Sequence, residues 1–174
     1  MATLGIDFER LDLRDALDLA ILIEEEAKER YDEFAAQMET HHTPEAASFF
    51  RFMMGNEAKH EADLQARRAR LFGDAPRAVT RAMLFDVEAP DYDEARAFMS
   101  PHAALQAALR CEVKAHDFFV AALPRIQDPG VKSLFAELRD EEVEHQNLVQ
   151  KQIAKLPPES DARPDDWVDE PVAH

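Results

Sequence analysis

The chain has 174 residues, a length typical of a single compact domain that can bury a sizeable core. Its 36 acidic residues outnumber 20 Lys and Arg, and the formal charge of −16 argues against nucleic acid as a partner and favours attraction of cations. A single cysteine, Cys111, excludes an internal disulfide, and no apolar run is long enough to span a membrane. Because the first ten residues also lack a secretory leader, we expect a cytoplasmic protein that binds neither nucleic acid nor membrane.

The first predicted element is a helix that begins after Asp12 and extends to about Glu39. Residues three and four positions apart share one helix face, so the apolar residues of this segment form a stripe. One carboxylate, Glu24, interrupts that stripe, whose other members are Leu17, Ile21, Ala27, Tyr31 and Met38. A buried carboxylate is costly unless another group compensates its charge. The neighbouring Glu25 and Glu26 fall beside the stripe, and we expect them to face mostly outward.

The second predicted helix has Thr43 as its cap, Pro44 at its first helical position and Gly73 just beyond its end. The loop that precedes it is short, which predicts that helices 1 and 2 are antiparallel. The following 27 residues, 74–100, are enough to cross the length of a bundle, so the third helix should run alongside the second. A short helix is predicted within this crossover, over Asp91–Met99.

The third helix repeats the start of the second, with Ser100 as cap and Pro101 at its first helical position, and is predicted to end near Pro124. Its apolar stripe again includes one carboxylate, Glu112, among Leu105, Ala108, Ala115, Phe119 and Leu123. A buried position for the neighbouring Cys111 suits a packed thiol better than a nucleophile.

The fourth helix is predicted to follow the turn Asp128-Pro129-Gly130 and to continue to Leu156, before Pro157. The short loop between helices 3 and 4 predicts a second antiparallel pair. The sequence therefore predicts one helical domain over residues 1–156. Residues 157–174 form an acidic, Pro-rich tail that we expect to be flexible.

Helices 2 and 4 each carry a Glu-x-x-His motif, whose two side chains lie on one helix face. The two halves of the chain also repeat one another, since the stripe carboxylate is followed after seven residues by Tyr31 in one half and Phe119 in the other. One such motif on an acidic helix is usually a solvated pair. Two in register with two apolar-face glutamates predict a metal site formed by Glu24, Glu57, His60, Glu112, Glu142 and His145.

The charges of this set predict two divalent ions. Four carboxylates and two neutral imidazoles carry four negative charges, which two divalent ions neutralise. Oxygen and nitrogen donors without thiolate favour iron, manganese or zinc over copper(I). The internal repeat pairs His116 with Lys28, so His116 is expected at the surface rather than among the ligands.

The two motif tracts, 56–60 and 141–145, resemble those of rubrerythrins, and the chain resembles a rubrerythrin-type member of the ferritin-like di-iron carboxylate family over about residues 12–156. The resemblance implies an all-α, ferritin-like four-helix bundle with a long crossover between helices 2 and 3. It implies that Glu57 and Glu142 bridge two iron ions, with manganese or zinc as possible substitutes. His60 and His145 would each bind one iron, and the stripe carboxylates of helices 1 and 3 would be terminal or bridging ligands.

Interactions around the ligands are also expected from the helix positions. We predict that Glu141 accepts a hydrogen bond from the non-ligating nitrogen of His60, and that Asn56 faces His145. The Tyr31 hydroxyl should reach Glu112 across the site. Tyr31 is therefore the candidate catalytic side chain, and its repeat partner Phe119 cannot share that role.

The resemblance implies a non-haem di-iron oxidoreductase that reduces peroxide or oxidises iron(II), using peroxide or O2 as the oxidant. Two features depart from rubrerythrins: Ala115 stands where they have an extra carboxylate, and one cysteine excludes a four-Cys rubredoxin-like domain. An external electron donor, such as a rubredoxin-like protein, is therefore expected. We also expect a homodimer or higher homo-oligomer. Two alternatives remain open: an iron-sequestering or storage protein, as an oligomer or as cargo in a larger shell, and a bundle in which metal is only structural.

Overall fold

The architecture is a bundle of four long helices. The computed structural model describes residues 6–83 and 100–157 of the chain. In these ranges the helices are α1 (Leu13–Thr40), α2 (Pro44–Phe72), α3 (Pro101–Ala122) and α4 (Pro129–Ile153), with short 3₁₀ turns at Arg81–Met83 and Leu123–Arg125. The described residues contain no strand and no helix that is long and apolar enough to cross a membrane. The predicted all-α four-helix bundle is confirmed, whereas the predicted helix at Asp91–Met99 and the tail at 158–174 lie outside the described residues.

Three of the four helices begin with a side-chain cap. The Asp12 carboxylate accepts a hydrogen bond from the Asp15 backbone N–H at 2.8 Å, and Ser100 and Asp128 cap α3 and α4 in the same way. Thr43 was predicted to cap α2 but does not, because its hydroxyl instead donates to the Met38 carbonyl at 3.0 Å. The start of α2 therefore depends on Pro44, whose fixed φ suits the first helical position.

The end of α4 differs slightly from the prediction. The helix ends at Ile153 rather than Leu156, and a turn follows in which the Leu156 N–H bonds to the Ile153 carbonyl at 3.0 Å. A residue that precedes proline disfavours the helical backbone conformation. The helix therefore cannot continue through Leu156 to Pro157.

Residue pairs between neighbouring helices show the relative directions of the helices. Between α1 and α2, Asp18 pairs with Arg68 and Glu39 pairs with Arg51 at 3.1 Å, so the two helices are antiparallel. The Phe119 and Phe135 rings, 5.3 Å apart, and the contact between Glu112 and His145 show the same for α3 and α4. Arg67 of α2 pairs with Glu137 of α4, and His60 lies near Glu141, so these two helices are also antiparallel. The third helix therefore runs in the same direction as the second, as predicted from the crossover.

Two apolar clusters fill the bundle, one toward each end. We define the first cluster by the buried side chains around the start of α1, which include Leu17, Ile21, Leu64, Phe119, Leu134 and Phe135. The second cluster surrounds the end of α1 and includes Tyr31, Phe34, Met38, Phe50, Met53, Leu105 and Val149. Every helix contributes residues to both clusters, so the middle of each helix lies between two apolar layers.

The segment after α2 covers part of α1. Arg81 forms a two-pronged ion pair with Glu29, at 2.7 and 2.9 Å, and lies 3.7 Å from Glu25. Glu25 and Glu26 are consequently half-buried rather than mostly outward as expected, and burial raises the pKa of the Glu26 carboxyl. Helical periodicity could not predict this contact, because Arg81 belongs to the crossover rather than to a periodic element.

A buried ion pair connects α1 with the end of α2. The Arg68 guanidinium donates two hydrogen bonds to the fully buried Asp18 carboxylate, and also donates to the carbonyls of Gly73 at 3.2 Å and Ala75 at 2.7 Å. Arg68 thereby satisfies both the buried charge and the carbonyls that follow the helix.

Replacing Asp18 with Ala should destabilise the protein by about 3–5 kcal/mol, because it leaves the Arg68 charge buried without its partner. The double change Asp18→Leu, Arg68→Met should cost much less, since neither charge is then buried alone. Urea unfolding followed by circular dichroism at 222 nm measures both. A loss below about 1 kcal/mol for Asp18→Ala would place the pair among weak surface ion pairs.

Candidate metal centre

The six predicted site residues form one layer across the middle of the bundle. Along α1, residues of the first cluster precede Glu24 and residues of the second cluster follow it. Along α2 the order is reversed, with Phe50 and Met53 before Glu57 and Leu64 after it. In α3 and α4, too, residues of one cluster precede the site residues and residues of the other cluster follow them. The polar layer is therefore closed at both ends of the bundle by apolar side chains.

Burial is nearly complete for five of the six side chains. Glu24, Glu57, Glu112, Glu142 and His145 are each 5% exposed or less, whereas the His60 side chain is 22% exposed. Four carboxylates in one buried layer cost considerable desolvation energy unless cations or protons compensate their charges. Their burial is therefore a specific indication of ligands rather than of a solvated helix face.

Glu57 lies between the two histidines. Its carboxylate oxygens are 3.2 Å from His145 Nδ1 and 4.0 Å from His60 Nδ1. His60 Nδ1 also lies 3.9 Å from Glu24 Oε2, and His145 Nδ1 lies 3.5 Å from Glu112 Oε2. The two imidazole rings are nearly parallel, with centroids 5.2 Å apart. This placement suits the predicted role of Glu57 as a ligand shared between two positions, each with its own histidine.

In the described part of the chain, the possible ligand atoms fall into three overlapping groups, each with its atoms within 4.8 Å of one another. The groups are Glu57, His60 and His145; Glu24, His60 and Glu141; and Glu112, Glu142 and His145. Together they contain all six residues predicted from the sequence. They add Glu141, which the sequence analysis assigned as a hydrogen-bond acceptor for His60 rather than as a possible ligand.

Charge interactions distinguish the two histidines. Burial lowers the pKa of His145, but the hydrogen bond and charge of Glu112 outweigh that effect and raise it. Burial in turn raises the pKa of Glu112, but hydrogen bonds with His145, Glu142 and Tyr31 outweigh it, so the net pKa is lowered. For His60, burial and the nearby His145 lower the pKa, which favours the neutral imidazole that metals bind.

The donor atoms of the layer fit divalent metal ions. His60 Nδ1 is buried and has no hydrogen-bond partner within residues 6–83 and 100–157, which is rare for a buried ring nitrogen. Carboxylate oxygens and imidazole nitrogens without thiolate suit iron, manganese or zinc. The layer therefore provides both the charge and the donor types that a pair of such ions requires.

Tyr31 is fully enclosed by the second cluster, and its hydroxyl donates a hydrogen bond to Glu112. The predicted contact is confirmed. Burial and the charges of Glu112 and Glu57 raise the pKa of the phenol well above 10, so it remains protonated. The corresponding side chain in α3, Phe119, has no hydroxyl, which makes the two halves of the site chemically different.

Two further predictions concern residues near the layer. Ala115, at the position of the extra rubrerythrin carboxylate, is fully buried, and His116 is partly exposed beside Asp117, as expected for a surface histidine. Glu141 Oε2 lies 3.9 Å from His60 Nδ1, which is close but longer than a hydrogen bond. The role of Asn56 stays a prediction. The repeat could not identify Glu141 as a ligand candidate because Asn56 holds the equivalent position in α2.

Comparison with known proteins places this geometry in a family. The rubrerythrin family model matches residues 15–89, the part that contains Glu24, Glu57 and His60. A crystal structure of an uncharacterised conserved protein from Magnetospirillum magnetotacticum MS-1 is 31% identical, with a TM-score of 0.71, and the match covers 87% of this chain and 100% of that one. The chain belongs to the rubrerythrin family. No curated protein matches this chain. The rubrerythrin family is a ferritin-like di-iron family, and the bundle of this chain is of the ferritin-like type.

The double change Glu57→Gln, Glu142→Gln should abolish binding of two metal ions, since it removes a carboxylate from each Glu-x-x-His motif while keeping side-chain shape. It should also raise the stability of the metal-free protein by about 1 kcal/mol or more, because two charges no longer have to be buried. Anaerobic titration with cobalt(II), followed by metal analysis and thermal unfolding with and without metal, measures both effects.

Glu33→Gln is the matched control, because Glu33 is an exposed residue of α1 away from the layer. This control should keep two ions per chain and the full increase in unfolding temperature on metal addition. Two tightly bound ions in the Glu57→Gln, Glu142→Gln variant would contradict the assignment.

Proposed function

We propose that this rubrerythrin-like protein is a non-haem di-iron oxidoreductase whose preferred oxidant is peroxide. The observation that carries the proposal is the buried layer of four glutamates and two histidines, closed at both ends by apolar clusters. Two histidines, at 3.2 and 4.0 Å from the Glu57 carboxylate, offer one imidazole to each of two metal ions, which suits a two-electron reaction. The membership in the rubrerythrin family supports iron as the metal.

Each ligand has a distinct position in this proposal. Glu57 and Glu142 would be shared between two irons, His60 and His145 would each bind one, and the carboxylates of α1 and α3 would complete the set. When bound, the pair of irons supplies two electrons together, which matches the two-electron reduction of peroxide to water. Manganese or zinc would fit the same donors, but zinc could not supply electrons.

The protein's own residues control water and protons around the layer. The apolar clusters exclude bulk water from both ends, which strengthens every charge interaction inside. Tyr31 keeps its proton and donates a hydrogen bond to Glu112, so it orients one oxygen of that carboxylate while the other faces His145. A donor fixed in this way holds the carboxylate in one orientation without giving up its proton.

Electrons for repeated turnover must come from another molecule. The chain has one cysteine, Cys111, which is buried and cannot form a rubredoxin-like four-Cys site. We therefore propose an external donor, such as a rubredoxin-like protein. We also propose a cytoplasmic location, with which a single cysteine and no internal disulfide are compatible.

One feature favours a second function, oxidation of iron(II) by O2. Because Ala115 replaces the extra carboxylate of rubrerythrins, the remaining set of four glutamates and two histidines is symmetric in composition. Such a set also suits ferroxidases and hence iron storage. Storage would require a high oligomer or a shell around the protein, whereas a peroxidase can be a homodimer, so the size of the purified protein helps to separate the two.

The protein loaded anaerobically with two iron(II) ions should react with both oxidants, and faster with peroxide than with O2 at equal concentration. Stopped-flow absorbance after separate mixing measures the two rates, and steady turnover should require an added electron donor. Oxidation by O2 at a rate equal to or above that of peroxide would favour ferroxidase and storage activity instead.

Tyr31→Phe should leave both metal ions bound but slow the reaction with peroxide by roughly tenfold to a hundredfold, because the hydrogen bond that orients Glu112 is lost. Metal content, unfolding temperature and single-turnover rate should be measured on the same preparation. Phe34→Leu is a suitable control, since it also alters the second cluster but removes no hydroxyl. An equal slowing in both variants would assign Tyr31 to packing alone.

A further inference from the structure

The closure of the metal layer restricts how an ion can enter it. The first and second clusters block the layer at the two ends of the bundle, so entry must occur sideways, between helices. Among the six site residues, His60 has the most exposed side chain, at 22%, compared with 5% for His145. The side of the layer near His60 is therefore its most accessible edge.

A cavity of about 130 Å³ lies beside His60, between α2 and α4. Its lining consists of His60, Asp63, Leu64, Arg67, Leu134, Glu137, Leu138 and Glu141. This volume accommodates several water molecules, and hence an ion with part of its hydration shell. Because His60 belongs both to the cavity wall and to the metal layer, the cavity lies next to the candidate centre.

The charged groups of the cavity favour cations. Asp63, Glu137 and Glu141 contribute three carboxylates against the single guanidinium of Arg67, and the remaining walls are leucines. Carboxylates above apolar walls of low dielectric concentrate cations and accelerate their association. Glu141 lies 3.9 Å from His60 Nδ1, so the carboxylates of the cavity extend to the edge of the layer.

An ion pair crosses the cavity between the two helices. Arg67 donates a hydrogen bond to Glu137 at 3.1 Å, and the two side chains are 30% and 54% exposed. A pair this exposed is weak, so it can open without much cost. Its guanidinium nevertheless places a positive charge on the path that a cation would take.

We propose that this cavity between α2 and α4 is the route by which divalent cations, iron(II) in the cell, enter and leave the metal layer. Asp63, an exposed residue of the lining that marks the mouth of the cavity, attracts the ion, Glu141 passes it to His60, and Arg67 slows its passage. This inference rests on the proposed function only in requiring that the layer bind metal. Asp63, Arg67 and Glu141 thus control how fast metal enters the layer, and none of them is a ligand of the bound ions.

The rate of cobalt(II) uptake by the metal-free protein tests the route. Reversing the charge at the mouth with Asp63→Lys should slow loading at low ionic strength by about tenfold, the lower end of electrostatic steering effects. Release to a chelator should slow by the same factor, so that affinity changes less than twofold and two ions still bind. Arg67→Gln should have the opposite effect and accelerate loading. Both differences should shrink above about 0.5 M salt, because screening shortens the range of the charges.

Glu33→Lys provides the matched control, since it changes the net charge equally at an exposed position of α1 that does not line the cavity. Loading as slow in Glu33→Lys as in Asp63→Lys would overturn the route and reduce the effect to net charge. Faster release with unchanged loading in Asp63→Lys would also overturn it, because loss of a ligand accelerates release. If the unaltered protein did not bind cobalt(II), the proposed function would be overturned as well. If Asp63→Lys bound two ions with unchanged rates of loading and release, the route alone would be overturned.

Discussion

The energetic cost of four carboxylates in one buried layer is the constraint on which the rest of the structure depends. Glu24, Glu57, Glu112 and Glu142 are each 5% exposed or less, between two apolar clusters that exclude water. Such a layer is stable only if protons, histidines or metal ions compensate its charge. Part of that compensation is present in the protein itself, since His145 and the hydrogen bond from Tyr31 both stabilise the charge of Glu112.

The sequence predicted the helices and the convergence of the six candidate site residues on one layer, because each depends on local spacing. Glu-x-x-His places two side chains on one helix face whatever surrounds it, and a cap such as Asp12 acts on the N–H groups of its own helix. Features that join distant segments could not be predicted in this way. The Asp18–Arg68 pair and the burial of Glu25 and Glu26 depend on where the segment after α2 lies against α1, which no periodicity reveals.

Glu141 shows a related limit of reasoning from the repeat. Its equivalent in α2 is Asn56, so symmetry between the halves assigns no carboxylate ligand at that position. In the bundle, however, Glu141 shares a group with Glu24 and His60, because α2 and α4 are close on this side. A position that differs between two halves of a repeat can therefore be more informative about function than one that is shared.

The repeat also leads to two candidate metal positions whose surroundings differ. His145 is nearly buried and has its pKa raised by Glu112, whereas His60 is partly exposed, has its pKa lowered by burial and lines a cavity. Tyr31 acts on the Glu112 side, and its repeat partner Phe119 provides no hydroxyl. An ion on the His145 side would thus be held in a dry, hydrogen-bonded environment, while an ion on the His60 side would exchange more readily with solvent. Since both sides have the same kinds of ligands, it is burial and neighbouring residues, rather than ligand composition, that divide the roles of the two positions.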